Sequence, residues 1–215
     1  MRRAFCPLAL AMIAASCDGE AGPTSPSATV EPMLRIAVLG DSLAVSPSRA
    51  EGFPAVLQSR LDERRLNATV TNFGVRGETT TGGLRRIDEV LGGDPDIVIV
   101  ALGANDGLRG VPLTTITRNL SEIIERAKAS GAQVLLCGME TPPLNGWNYT
   151  IGFHNVFPSV ASTHQVPLVP FLLEAVALNP EMNGDDLIHP NAAGARQIAA
   201  TIWPYLEPMV KALTR

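Results

Sequence analysis

The sequence predicts a three-layer α/β/α domain built on a five-stranded parallel sheet. Short apolar runs alternate with longer amphipathic stretches, the pattern of repeated strand–helix units. The runs are continuously apolar rather than alternating, so both faces of the sheet must be covered. At 215 residues, with 46% hydrophobic and 18% charged side chains, the chain can fill one such core.

The first 32 residues stand outside this pattern. Arg2 and Arg3 precede an apolar stretch from Ala4 to Ala15, too short for a permanent membrane helix and suited to an export signal. Ala14, Ala15 and Ser16 then lead to Cys17. This resembles a bacterial lipobox, with Ala14 where leucine is usual, and makes residues 1–17 a signal ending at a lipidated cysteine. Ordinary cleavage nearby, giving a soluble exported product, is the alternative. Lipid on Cys17 would hold the protein at a membrane surface of the cell envelope without a spanning helix. Residues 18–32 are rich in Gly, Pro, Ser and Thr and read as a flexible linker. The folded domain is expected over residues 33–215.

Within it, Leu34 to Leu39 reads as the first strand, ending at Gly40. Phe53 to Arg65 has helical spacing, and Ala68 to Phe73 is a second strand. Thr81 to Leu91 is expected to be helical despite Gly82 and Gly83. Ile97 to Leu102 is a third strand. Thr115 to Ser130 is a helix stopped by Gly131, and Val134 to Gly138 is a fourth strand. Thr141 to Ile151, with its Pro, Gly and Asn residues, suits a mobile loop. Ile151 to Thr163 is helical, and Val166 to Val169 is a short fifth strand. Asn191 to Leu213 is the last helix, expected to bend at Pro204.

In such a sheet, ligands sit beyond the carboxyl ends of the strands. Gly40-Asp41-Ser42-Leu43 follows the first strand, and its serine can present a hydroxyl above the sheet. A Ser or Asp capping the next turn is the competing reading. Asn72 to Thr79 follows the second strand, and a glycine there lets a backbone N–H approach a substrate, or simply makes a turn. Gly103-Ala104-Asn105-Asp106 follows the third strand. The Asn105 amide is a neutral donor suited to a developing oxyanion, or else part of a turn or cap. Asp186-Leu187-Ile188-His189-Pro190 precedes the last helix. Its carboxylate can face one imidazole nitrogen while the other faces a serine; Pro190 as the first helical residue is the structural alternative. Together these supply a nucleophile, oxyanion donors, an acid and a base in the chain order Ser, Asp, His.

Other chemistries find less support. The net charge is −4 with no basic run, which argues against nucleic acid. No second histidine stands at ligand spacing from His189, so no metal is expected. His154 and His164 read as ordinary helix-face residues. Cys137, in an apolar run, reads as a buried strand residue.

Ser42, Gly77, Asn105 and His189, with Asp186 in a D-x-x-H block, resemble the four blocks of the SGNH (GDSL) hydrolases. The likeness covers Leu34 to Arg215 and is nearest to the bacterial thioesterase I, arylesterase and lysophospholipase branch. It implies flavodoxin-like strand order, a Ser42–His189–Asp186 triad, and an oxyanion hole of Ser42 N–H, Gly77 N–H and the Asn105 side chain. Leu187 stands where this branch has glycine. The expected substrates are acyl esters, aryl esters, acyl thioesters or lysophospholipids, with Leu108, Arg109, Trp147 and Tyr149 bordering the acyl pocket. The two aromatics either pack on an acyl chain or brace their segment. No cofactor is called for, and a monomer is expected. A carbohydrate O-acetyl esterase is the enzymatic alternative, and a non-catalytic envelope-tethered binding module the non-enzymatic one.

Overall fold

The computed structural model describes Met1 and residues 33–214. The expected signal, lipobox cysteine and linker lie outside the described residues. The chain separates into Met1–Val30 and Glu31–Arg215, and the second unit carries the fold.

Five strands form one parallel sheet in the order β2-β1-β3-β4-β5, the flavodoxin-like order implied by the resemblance. They are β1 (Leu34–Gly40), β2 (Ala68–Asn72), β3 (Ile97–Ala101), β4 (Gln133–Cys137) and β5 (Leu168–Val169). β3 is central, and all five of its residues are buried. Each fully buried Val, Ile or Leu there contributes about 1.5–3 kcal/mol of transfer free energy. Leu39 and Leu57 are likewise fully buried.

Helices α1 (Phe53–Glu63), α5 (Leu113–Ala129), α6 (Trp147–His164) and α7 (Ala192–Leu213) are the long ones. α1 packs with α7, and α5 packs with α6. α7 runs through Pro204 and Pro208 as one helix. Among the described residues no helix is long and apolar enough to cross a membrane. Cys137 is fully buried on β4, and burial raises its thiol pKa far above the ordinary value, so it is inert as a nucleophile.

Three local expectations are corrected. The helix expected over Thr81 to Leu91 is two pieces, α2 (Thr80–Arg85) and α3 (Ile87–Leu91), divided at Arg86. Arg86 turns inward: its Nε donates to Glu78 Oε2 (2.6 Å) and its Nη2 to the Gly40 carbonyl (3.2 Å). A short helix, α4 (Ala104–Arg109), follows β3 directly, a segment that the sequence pattern leaves without a helix of its own. The expected loop Thr141 to Ile151 is a 3-10 turn (Pro143–Asn145) and the first turn of α6. Asn145 Nδ2 ties that turn to the Gly107 carbonyl of α4 at 2.9 Å.

Candidate active site

Ser42 opens a 3-10 turn (Ser42–Val45) at the carboxyl end of β1. The turn folds back on the strand because residue 40 is glycine: a Cβ there would lie 2.9 Å from the Cβ of Ala44. Asp41 caps the turn, its Oδ1 accepting the Leu43 N–H at 2.9 Å. Ser46 Oγ donates to the Ser42 carbonyl at 2.8 Å. Ser42 is thus fixed at a strand end, with 8% of its surface exposed.

The imidazole comes from the other end of the chain. His189 Nε2 lies 3.0 Å from Ser42 Oγ, and Nδ1 lies 2.6 Å from Asp186 Oδ2. The second Asp186 oxygen accepts the backbone N–H groups of Ile188 (3.0 Å) and His189 (2.9 Å). These bonds, that of the His189 N–H foremost and the imidazole next, hold the carboxyl well below the usual carboxylate range. An ionised Asp186 keeps a proton on Nδ1 and leaves Nε2 free to accept the serine proton.

The turn carrying this pair is stitched to itself. Leu187 N–H donates to Gly184 O (3.0 Å), Gly184 N–H to His189 O (2.9 Å) and Asn191 N–H to Met182 O (3.0 Å). Asn191 also caps α7, its Oδ1 accepting from Ala193 (2.8 Å) and Gly194 (3.1 Å). The helix therefore begins at Ala192, and the reading of Pro190 as its first residue does not hold.

Asn105 reaches Asp41, the residue before Ser42, and the Glu78 carbonyl, the residue after Gly77. Gly77 has φ +71°, a left-handed conformation that glycine adopts without a Cβ penalty. Its N–H has no protein acceptor among the described residues. Two bonds hold the neighbouring backbone: Arg109 Nη2 donates to the Gly77 carbonyl at 3.1 Å and Asn105 Nδ2 to the Glu78 carbonyl at 3.0 Å. Asn105 Nδ2 also reaches Asp41 Oδ2 at 3.2 Å. Beneath them, Asp106 accepts from Thr80 N–H (2.8 Å) and Thr80 Oγ1 (2.6 Å). Asn119 Nδ2 donates to Thr80 Oγ1 at 3.1 Å, completing a buried network between α2, α4 and α5. Burial raises the pKa of Asp106.

Sequence reasoning read Asp41 only as a cap. It also contacts Asn105, 64 residues away, and no spacing signal marks such a pair. Burial pushes its carboxyl up to about 6, against the lowering effects of the Leu43 N–H and the Asn105 amide.

The four residues expected to border an acyl pocket divide. Leu108 and Trp147 are exposed, Trp147 at 69%. Tyr149 is spoken for: its hydroxyl donates to Val111 O (2.8 Å) and Asp106 O (3.3 Å), and its ring stacks on Phe153. It braces α6 against α4. Arg109 is engaged with the Gly77 backbone. His154 pairs with Glu140 at 2.6 Å, while the His164 side chain, also on α6, is largely buried. Among the described residues no cluster of three His, Cys, Asp or Glu is arranged to hold a metal.

Residues 38–197 match the model of the GDSL-like lipase/acylhydrolase family. The chain is 39% identical over 176 residues to an arylesterase of Vibrio mimicus, covering 80% of this chain and 88% of that protein. It is 35% identical over 176 residues to the thioesterase 1/protease 1/lysophospholipase L1 of Escherichia coli K12, covering 80% and 83%. The crystal structure of TesA superposes with a TM-score of 0.77 at 36% identity, covering 81% of this chain and 99% of that one. The chain belongs to the GDSL-like lipase/acylhydrolase family, and it is a serine hydrolase.

Proposed function

We propose that Ser42 is the nucleophile, His189 the base and Asp186 its orienting acid, acting on short to medium acyl esters, aryl esters, acyl thioesters or lysophospholipids. The observation that carries this reading is the unbroken chain from Asp186 Oδ2 through His189 to Ser42 Oγ. Its support in kind comes from relatives that are an arylesterase and a thioesterase/lysophospholipase.

In the first half-reaction His189 Nε2 takes the Ser42 proton as Oγ attacks the acyl carbonyl. The carbonyl oxygen becomes an oxyanion facing Ser42 N–H, Gly77 N–H and the Asn105 amide. The Asn105 bond to Asp41, at 3.2 Å the longer of its two, yields one N–H to that oxygen. His189 then protonates the leaving alcohol or thiol as its bond to carbon breaks, and an acyl-Ser42 ester remains. Water attacks that ester, giving its proton to His189, and the acid leaves with Ser42 restored.

The test is hydrolysis of p-nitrophenyl esters of increasing chain length by residues 24–215, beside Ser42→Ala. Loss of about 10^5-fold or more in kcat is expected for the variant. Turnover that survives it would sink the assignment.

We propose further that the protein is an exported monomer, held at the cell envelope by lipid on Cys17. The apolar stretch from Ala4 to Ala15 and the small residues before Cys17 support this. Mass spectrometry of the mature N-terminus checks it, and an unmodified Cys17 would overturn it.

A further inference from the structure

The sheet order gives Ser42 two unlike flanks. β3 and β4 lie on one side of β1, and β2 lies on the other. The segments after β3 and β4 expose Leu108, Leu144, Trp147 and Ile151. The β2 side instead carries an open cleft of about 400 Å³, lined by Ser46, Pro47, Arg76, Asp185, Asp186 and His189 among others.

His189 sets what this cleft is for. A histidine that protonates the leaving atom must have that atom on its own side of the tetrahedral carbon. Whatever the leaving atom carries then extends into the space beside the imidazole. The acyl chain is left the flank of α4 and the start of α6.

Arg76 is the cation of this cleft. It is exposed and forms no hydrogen bond or ion pair among the described residues. Its neighbour in sequence is Gly77, so its backbone is fixed relative to the reacting carbonyl. Asp186, in the same wall, is committed to His189. Asp185 is the other free charge there and leaves the guanidinium unpaired. A guanidinium presents a planar fork of donors that matches a phosphate or carboxylate.

We propose that this cleft is the leaving-group subsite and that Arg76 binds an anionic group, a phosphate or carboxylate, borne by the departing alcohol or thiol. The inference rests on the hydrolase reading of Ser42 and His189 and adds a preference to it: of two esters with the same acyl chain, the one with the anionic leaving group is favoured. Substrates of either leaving atom offer such a group, as the phosphate of a glycerol phosphate or of a phosphopantetheine thiol.

The test uses two matched pairs: a monoacylglycerol with its 3-phosphate, and an acyl N-acetylcysteamine with the acyl phosphopantetheine. The readout is the ratio of kcat/KM for the phosphorylated over the neutral member, in wild type, Arg76→Gln and Arg76→Lys. Arg76→Gln should lower the ratio about tenfold, through KM, as expected for one exposed charge-assisted contact. Arg76→Lys should keep part of it, and added salt should shrink the wild-type preference. The pair that shows the effect identifies the alcohol or the thiol as the source of the anion. A ratio that is the same in wild type and Arg76→Gln for both pairs would overturn the subsite while leaving the hydrolase intact. Absence of wild-type turnover on all four substrates would overturn the hydrolase reading itself, and the subsite with it.

Discussion

Two short turns meet at the reacting hydroxyl, and they are built in opposite ways. The Asp41–Val45 turn is buried at the end of β1, with Asp41 fully inaccessible. The Gly184–Pro190 turn is an outer arm, with Leu187 and Ile188 exposed at 40% and 49%. The carboxyls of Asp41 in the first and Asp186 in the second move in opposite directions. Burial raises Asp41 to about 6, whereas the His189 N–H and imidazole lower Asp186. Sheet packing fixes Ser42 and Asp41, and through Asp41 the Asn105 amide. His189 is fixed by hydrogen bonds within its own exposed turn.

If that division holds, the largest loss should follow from cutting the outer arm at its acid. Asp186→Asn keeps the shape and can still accept the Ile188 and His189 N–H bonds. It places an amide donor against His189 Nδ1, which favours the wrong tautomer. A fall in kcat on the order of 10^3- to 10^4-fold is expected with the fold retained. Steady-state kinetics beside circular dichroism measures it; a loss of only a few-fold would mean that the turn, not the carboxylate, orients the imidazole.

On the inner side the corresponding cut is Asn105→Ala. In the proposed mechanism it removes one oxyanion donor, worth about 3 kcal/mol of barrier or on the order of 10^2-fold in kcat. KM for a neutral ester should change far less, because the donor acts mainly on the developing charge. An effect confined to KM would place Asn105 in ground-state binding instead.

Acid–base titration separates the turns in stability as well as in rate. Native Asp41 keeps its proton up to about 6, whereas the unfolded chain releases it near 3.8. The native state therefore holds more protons between these values, and the Asp41 contribution to stability falls as pH rises through this window, by on the order of 2 kcal/mol. Asp186 has the reverse sign: its contribution is present above its unfolded pKa and is lost as pH falls below it. Asp106 is shifted in the same direction as Asp41, so the measurement is a difference: urea unfolding of wild type and Asp41→Asn from pH 4 to 7. The gap between the two should change steadily in favour of the variant as pH rises. A gap that stays constant across this range would show that Asp41 does not titrate there.

The two turns were also unequally legible in the sequence. The D-x-x-H arm was readable because acid and base lie three residues apart, and the strand before Ser42 because its apolar run is continuous. All five strands lie within about two residues of where such runs place them; central β3 is buried throughout and has no polar position to blur its ends, whereas β2 at the sheet edge is only partly buried. What was not readable depends on contacts far apart in sequence. α4 has the turn-like composition Ala-Asn-Asp-Gly-Leu-Arg, and it meets α2 through the bonds of Asp106 to Thr80. The break at Arg86 follows from Glu78 and the Gly40 carbonyl, neither of which perturbs the apolar spacing of Thr81 to Leu91. The start of α6 at Trp147 has no side-chain cap to announce it.

The smallest expected effect concerns Leu187, the position where the related branch has glycine. Leu187 has φ +56°, a left-handed conformation that strains a residue with a Cβ by about 1–2 kcal/mol. Its side chain is 40% exposed, so truncation removes little packing. Leu187→Gly should relieve the strain while giving the unfolded chain more freedom, a net gain of roughly 0.5–1 kcal/mol. Thermal unfolding at pH 7 reads this as a higher midpoint. The hydrogen bonds of Asp186 use the Ile188 and His189 N–H groups rather than that of Leu187, so kcat should stay within about twofold if the turn is held by those bonds alone. A large fall in kcat with the stability gain intact would mean that the leucine side chain itself holds the outer arm over Ser42, and the account of that arm as self-supporting would have to give way.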